Sequence, residues 1–193
     1  MTLHEAVHGY VAYALGDETA KWSGRLSLNP LRHIDPVTTV LLPIVLYLTG
    51  GIPFGAAKPV PVNSSRLRYG DFGMALVGIA GPLTNLMLAL IGGVVFRLTG
   101  GADQILLDIL KTFILVNISF FTFNMIPYPP LDGSRLLYAF APEPVQDFMR
   151  SIENMGIAGL LAFMLVFYMV GPNFLEPLIK GLYHLVTGSM LTF

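Results

Sequence analysis

The chain has 193 residues, of which 54% are hydrophobic and 12% are charged, and its formal net charge is −1. Globular proteins carry roughly twice that share of charged residues, so the composition favours a membrane protein, and the length favours one domain. The near-neutral charge argues against nucleic acid as a partner. Cysteine is absent, which excludes disulfides and thiolate metal sites, so any metal must be held by nitrogen and oxygen ligands.

The first predicted element is an apolar helix from about Leu3 to Leu15, ended by Gly16. It contains His4-Glu5-Ala6-Val7-His8, which reads H-E-x-x-H. Residues at i and i+4 share one helix face, so both imidazoles can bind one metal ion, with Glu5 placed as a general base. Such a short pattern also arises by chance, but burying a glutamate and two histidines in an apolar helix is costly unless they are paired or bind something.

The next segments are predicted to be irregular or too short to cross a bilayer. Gly16 to Pro36 is a polar connection in which Leu26 to Leu31 could form a short strand. Val37 to Thr49 is apolar, but a crossing helix needs about 20 residues, so this run predicts a re-entrant segment. Phe54 to Asn63 is expected to be extended, because each proline biases the residue before it toward β or polyproline geometry.

Three later segments are apolar enough and long enough to span: Phe72 to Leu98, Ile105 to Ile126 and Ile152 to Val170. Leu131 to Phe140 is predicted to be a short helix. Gly171-Pro172 is expected to end the third span, leaving Phe174 to Phe193 as a separate interfacial or loosely packed helix. The predicted fold is therefore an all-α polytopic membrane protein, a bundle of transmembrane helices with a re-entrant hairpin and possible short strands before the first of the later spans.

A catalytic zinc site needs a third protein ligand beside the two histidines. Asp35 precedes Pro36 and is more simply explained as the start of a helix. Asp132 follows the proline-rich end of the second span, where a broken helix could turn its carboxylate back toward the bundle. It could equally cap the next helix. The residues alone leave this choice open.

Three motifs in a fixed order resemble those of the site-2 protease family of intramembrane zinc metalloproteases. They are H-E-A-V-H, G-P-L-T-N at Gly81 to Asn85, and N-M-I-P-Y-P-P-L-D-G-S-R at Asn124 to Arg135. The stretches Asn29 to Pro36 and Lys58 to Asn63 resemble the small bacterial and archaeal branch of that family. The resemblance covers most of Met1 to about Phe140. Ser134 stands where many members have glycine.

This resemblance implies a zinc site and a substrate site. It implies His4, His8 and Asp132 as ligands of one zinc ion per chain, with Glu5 as the general base. It also implies that Asn85 binds substrate backbone or stabilises the oxyanion. The extended segment could pair with an unwound substrate by strand addition, with Phe54, Gly55 and Lys58 as candidate contacts. We expect residues 1–193 to form a single membrane-embedded metalloprotease domain that lacks an upstream transmembrane helix.

The function implied is a zinc metalloendopeptidase that cleaves peptide bonds in or near transmembrane segments of membrane proteins. One alternative is a membrane metal-binding or transport protein, which would carry carboxylates on several spans. Another is a scaffold that binds transmembrane segments without cleaving them, which the presence of Glu5 disfavours. The expected partners are a transmembrane protein substrate and the lipid bilayer, and the oligomeric state stays open. A re-entrant hairpin would gather most basic residues on one face, so the positive-inside rule predicts a multi-pass cell-membrane protein whose active site opens toward the cytoplasm.

Overall fold

The computed structural model describes residues 1–48, 57–99 and 103–191. They divide into two compact units, Met1–Gly81 and Pro82–Phe193. Every regular element in these described ranges is helical, and none of them contains a strand. The all-α fold predicted from the sequence is therefore confirmed.

The first unit begins with helix α1 (Thr2–Ala14), followed by one short turn of helix, α2 (Thr19–Trp22). Gly16 ends α1 with a φ of 104°, a conformation that favours glycine because a Cβ would be strained there. This end agrees with the predicted one. The core of the unit is formed by buried Ala12, Leu67 and Val77.

The short strand considered for Leu26 to Leu31 is not formed. Instead, the loop satisfies its polar groups locally and runs into a 3₁₀ turn at Pro30–His33. The side chain of Asn29 accepts a hydrogen bond from the N–H of Leu31 at 3.0 Å, and the guanidinium of Arg32 donates to the carbonyl of Gly24 at 2.9 Å. Such side-chain contacts give the backbone an alternative to pairing with another strand.

The apolar run after Pro36 forms a wide helical turn, Pro36–Leu41, which continues into α3 (Leu42–Leu48). At 7 residues, α3 is much shorter than the roughly 20 residues needed to cross a bilayer. Residues 49–56 lie outside the described residues. The re-entrant hairpin therefore stays a prediction.

Residues 57–68, which we call the strap, lie along α1 and are fixed to the first unit through backbone hydrogen bonds. The N–H of Lys58 donates to the carbonyl of His33 at 2.8 Å, and the N–H of Arg68 donates to the carbonyl of Leu15 at 2.8 Å. Residues 57–63 have no regular secondary structure, and a 3₁₀ turn follows at Ser64–Arg66. The strap places an irregular segment beside the helix that carries the H-E-x-x-H motif.

Within the described residues, three helices are long and apolar enough to cross a membrane: α4 (Gly70–Leu98), α5 (Gln104–Asn124) and α8 (Ile157–Thr187). The bounds of α4 and α5 lie close to the predicted ones. The predicted break at Gly171-Pro172 is wrong, because α8 continues through Pro172 and Pro177 as one helix. Each proline removes only one N–H, and a long apolar helix keeps its remaining hydrogen bonds on both sides.

The second unit packs α5 and α8 around Ile114, Ile118 and Tyr183, all of which are buried. Glycines of α4 allow close approach, since a Cβ at Gly93 would lie 2.3 Å from a methyl of Val186. Two shorter helices, α6 (Asp132–Phe140) and α7 (Glu143–Asn154), separate α5 from α8. The short helix predicted at Leu131 to Phe140 thus corresponds to α6.

Candidate metal centre and active site

His4 and His8 lie one turn apart on α1, and both imidazoles are buried. Their Nε2 atoms are 3.1 Å apart, and the two rings meet edge to face with centroids 4.7 Å apart. Zinc–nitrogen bonds of about 2.0–2.1 Å at a tetrahedral angle would place two ligand nitrogens about 3.3–3.4 Å apart. The pair therefore has nearly the spacing that two ligands of one zinc ion require.

The orientation of the His8 imidazole is fixed by a hydrogen bond at its other ring nitrogen, Nδ1. Its Nδ1 lies 2.7 Å from the carbonyl oxygen of Val77. Because a carbonyl can only accept, Nδ1 must carry the hydrogen, and the lone pair of a neutral ring is then on Nε2, on the side of His4. Metal-binding histidines commonly donate their other nitrogen in this way, which sets both tautomer and ring orientation.

The backbone of Gly81 borders a small space beside the imidazoles of His4 and His8, which we call the cradle. A Cβ at this position would lie 2.3 Å from Nε2 of His8 and 2.7 Å from Nε2 of His4. The space beside both ligand nitrogens exists only because residue 81 has no side chain. The donor set, the fixed tautomer and this cradle together fit a zinc ion.

Glu5 is half-buried beside the histidines on α1. Its Oε2 accepts a hydrogen bond from the backbone N–H of Val60 in the strap, at 3.2 Å. The predicted general base is thus in contact with the segment predicted to bind substrate. This contact was not predictable from the sequence, because 55 positions separate the two residues.

Asp132 belongs to the second unit and occupies the first position of α6. The N-cap residue is Leu131, so Asp132 does not occupy the capping position considered for it. Its turn is tightly packed, since a Cβ on the next residue, Gly133, would lie 2.4 Å from the carbonyl oxygen of Met125. The competing candidate, Asp35, immediately precedes the helical turn that begins at Pro36, as expected for a residue at a helix start.

Asn85 is buried in α4, and its side-chain NH₂ donates to Oδ1 of Asn117 at 2.9 Å. Asn117 in turn donates to the carbonyl of Phe113, also at 2.9 Å. This pair links α4 to α5 by a hydrogen bond of the kind that joins transmembrane helices. Asn85 therefore has a structural role in the second unit in addition to any role toward substrate.

The predicted substrate contacts are only partly described. Phe54 and Gly55 lie outside the described residues. Lys58 is exposed, and its backbone N–H is used within the protein by the carbonyl of His33.

Asp17 is an anchor of the strap that the sequence reasoning missed. Its side chain is fully buried, and it accepts hydrogen bonds from the N–H and hydroxyl of Thr19 and from the N–H of Asn63 at 2.6 Å. Burial alone would raise the pKa of this carboxyl group. The bonds from Thr19 and Asn63 outweigh burial, and with the charge of Arg66 they hold the pKa below its ordinary value of 3.8. An aspartate two residues before a threonine is a local turn signal that could have pointed to it.

No family model matches the chain, and no solved structure matches it. Among curated proteins, the chain is 38% identical over 174 residues to "Putative zinc metalloprotease YwhC" of Bacillus subtilis, a match that covers 86% of this chain and 75% of YwhC. It is 31% identical over 189 residues to "Putative zinc metalloprotease Rip2" of Mycobacterium tuberculosis, covering 94% of this chain and 65% of Rip2. A Rip2 of Mycolicibacterium smegmatis is 30% identical over 135 residues, covering 69% of this chain and 51% of that protein. With its three motifs and these relatives, the chain belongs to the site-2 protease family of zinc metalloproteases.

Proposed function

We propose that this protein is an intramembrane zinc endopeptidase that hydrolyses peptide bonds in or near transmembrane segments of membrane proteins. The observation that carries the proposal is the buried pair of His4 and His8, whose Nε2 atoms are 3.1 Å apart with Glu5 between them in sequence. The three helices of the described part of the chain that have the length and composition of membrane spans support a membrane setting for this chemistry. The metalloprotease names of the relatives support the reaction class.

We further propose that His4, His8 and Asp132 hold one zinc ion per chain. The fixed tautomer of His8 and the cradle at Gly81 support the histidine half of the site. The motif around Asp132 and its position in the first turn of α6 support the third ligand. When bound, zinc would supply Lewis-acid chemistry to a water molecule and to the peptide carbonyl.

The roles of the remaining side chains follow from their donors and acceptors. The Glu5 carboxylate would take a proton from the attacking water and deliver it to the leaving amine nitrogen. Asn85 would bind a substrate carbonyl or the developing oxyanion. One N–H of its carboxamide already donates to Asn117, so a contact with substrate would use the other.

Substrate would bind in extended form along the segment from Phe54 to Asn63, with Phe54, Gly55 and Lys58 among the contacts. The described part of this segment limits how it can pair. Between residues 58 and 61, Pro59 and Pro61 have no N–H, and the N–H groups of Lys58 and Val60 donate to His33 and Glu5. A substrate strand paired there would therefore have to donate its own N–H groups to carbonyls of the protein.

The setting we propose is a multi-pass protein of the cell membrane whose site opens toward the cytoplasm. Its partners would be lipid and a transmembrane protein substrate, with no role for nucleic acid. The positive-inside rule, applied to a re-entrant hairpin between Val37 and Val62, supports this orientation.

The decisive experiment compares the wild type with Glu5→Gln and His8→Ala, each reconstituted with a membrane protein substrate. We expect the wild type to cleave, Glu5→Gln to retain zinc without cleaving, and His8→Ala to lose both zinc and cleavage. Zinc content and cleavage products would be measured on the same samples. Near-normal turnover by Glu5→Gln, or no cleavage by a fully zinc-loaded wild type on any transmembrane substrate, would overturn the proposal.

A further inference from the structure

The backbone N–H of Val60 donates to Oε2 of Glu5 at 3.2 Å. From this contact we propose that Val60 is a positioning residue, whose main-chain N–H holds the Glu5 carboxylate in the orientation needed for proton transfer. The inference rests on the proposed function, because it concerns how the general base of that reaction is held.

The strap gives this N–H little freedom to move. On either side of Val60, the N–H of Lys58 donates to the carbonyl of His33 at 2.8 Å and that of Asn63 donates to Asp17 at 2.6 Å. Pro59 and Pro61 flank the residue, so φ is fixed on both sides. The donor is therefore held by structure that does not depend on Glu5.

The side chain of Val60 adds a second point of fixation on α1. Gly9 lies one turn after Glu5, and a Cβ at Gly9 would lie 3.2 Å from Cγ1 of Val60. Without a side chain at position 9, Val60 packs directly against the helix. The strap thus approaches α1 closely at the turn that carries the general base.

A glutamate side chain has three rotatable bonds and loses much conformational freedom when it is held in one orientation. A hydrogen bond to Oε2 restricts the rotation of the carboxylate and leaves Oε1 to exchange protons with the water and the leaving group. Such fixation matters for rate, because a misplacement of about 1 Å can cost about a hundredfold. Losing the Val60 N–H should therefore lower the rate of the chemical step more than substrate binding.

The test removes the N–H of Val60. Val60 precedes Pro61 and is already restricted to extended conformations, and Val60→Pro keeps the residue extended while it removes the donor. Val60→Ala keeps the N–H and removes only side-chain packing. In the full protein, reconstituted in membrane, we expect kcat of Val60→Pro to fall at least about tenfold below that of Val60→Ala, with KM and zinc content matched within about twofold.

Two further measurements isolate the contact itself. In Glu5→Asp the shorter carboxylate no longer reaches the N–H of Val60. Adding Val60→Pro to that variant should lower kcat by less than about a further twofold, as expected if Val60 acts only through Glu5. By hydrogen exchange, the Val60 amide should exchange faster in Glu5→Ala than in wild type, while the Asn63 amide, held by Asp17, should be unchanged.

The outcomes separate this inference from the proposed function. Cleavage by the wild type supports the function whatever the Val60 variants do. Equal kcat for Val60→Pro and Val60→Ala, or a higher kcat for Val60→Pro, would overturn the positioning role. So would an additive loss in the Glu5→Asp background or an unchanged exchange rate at Val60 in Glu5→Ala. If Val60→Pro does not fold, the exchange rate of the Val60 amide in Glu5→Ala still tests the contact.

Discussion

Gly81 lies against the imidazole of His8 so closely that a Cβ at residue 81 would be 2.3 Å from Nε2. It would also be 2.7 Å from Nε2 of His4. A methyl group there would occupy the space that both nitrogens need in order to bind one ion. We expect Gly81→Ala to weaken zinc binding by about 10–100-fold, which is the usual effect of changing a residue that surrounds the ligands of a metal ion. Zinc titration of the purified metal-free protein would measure it.

A matched control exists in α8. A Cβ at Gly181 would meet no atom within 4 Å, and the residue is exposed. Gly181→Ala should bind zinc like the wild type and raise helix stability by up to about 1 kcal/mol. If Gly81→Ala bound zinc as tightly as Gly181→Ala, the cradle would have no part in the metal site.

Local patterns of the sequence predicted much of this structure, whereas contacts between distant segments were not predictable. The i, i+4 spacing of His4 and His8 indicated their pairing, because one helix turn fixes it. Nothing local to Glu5 or Val60 indicates that they are hydrogen-bonded, since that contact depends on how the strap packs on α1. The helix end predicted at Pro172 was wrong, because the hydrogen bonds of a long apolar helix outweighed the tendency of one proline to end it.

Asp17 should stabilise the first unit in a pH-dependent manner. Asp17→Asn keeps the size of the side chain but presents an NH₂ group where Oδ1 or Oδ2 accepts hydrogen bonds. Because bonds to a charged acceptor contribute about 1.5–3 kcal/mol, we expect a loss of that order in the free energy of unfolding at pH 7. Chemical unfolding of the protein in detergent micelles would measure it.

The stabilisation by the Asp17 carboxylate should be lost as the pH falls. The folded pKa of Asp17 lies below its ordinary value of 3.8, so the stabilisation is present above that pH. It is lost as the pH falls through the lowered pKa. The stability difference between wild type and Asp17→Asn should therefore be constant from neutral pH down to about pH 5 and shrink below about pH 4. A difference that grew on acidification would show that the charge of Asp17 is not what stabilises the strap.

The structural role of Asn85 and its proposed role toward substrate can be distinguished by comparing Asn85 and Asn117 variants in stability and in activity. Asn85→Ala and Asn117→Ala both remove the 2.9 Å hydrogen bond between their side chains. Each should lower stability by about 0.5–2 kcal/mol, the range measured for polar contacts between transmembrane helices. If Asn85 also contacts substrate, its variant should lose at least about tenfold more in kcat/KM than the Asn117 variant. Equal losses of activity would assign to Asn85 a structural role alone.

The orientation of α4 in the membrane provides a test of the predicted topology. At 29 residues, α4 is about 43 Å long and exceeds the hydrocarbon core of about 30 Å, so its two ends should lie on opposite sides. Lys58, Arg66 and Arg68 precede the helix, whereas its last turn carries Arg97. The positive-inside rule therefore predicts that α4 begins on the cytoplasmic side and ends outside.

Single cysteines can test this orientation cleanly, because the chain has none of its own. Ser64 and Asp103 are exposed, and they flank α4. In intact cells we expect a membrane-impermeant thiol reagent to label Asp103→Cys, and to label Ser64→Cys only after the membrane is permeabilised. The opposite pattern would invert the protein and turn the zinc site away from the cytoplasm. Labelling of both variants in intact cells would mean that α4 does not cross the bilayer, and the re-entrant path for Val37 to Val62 would lose its support.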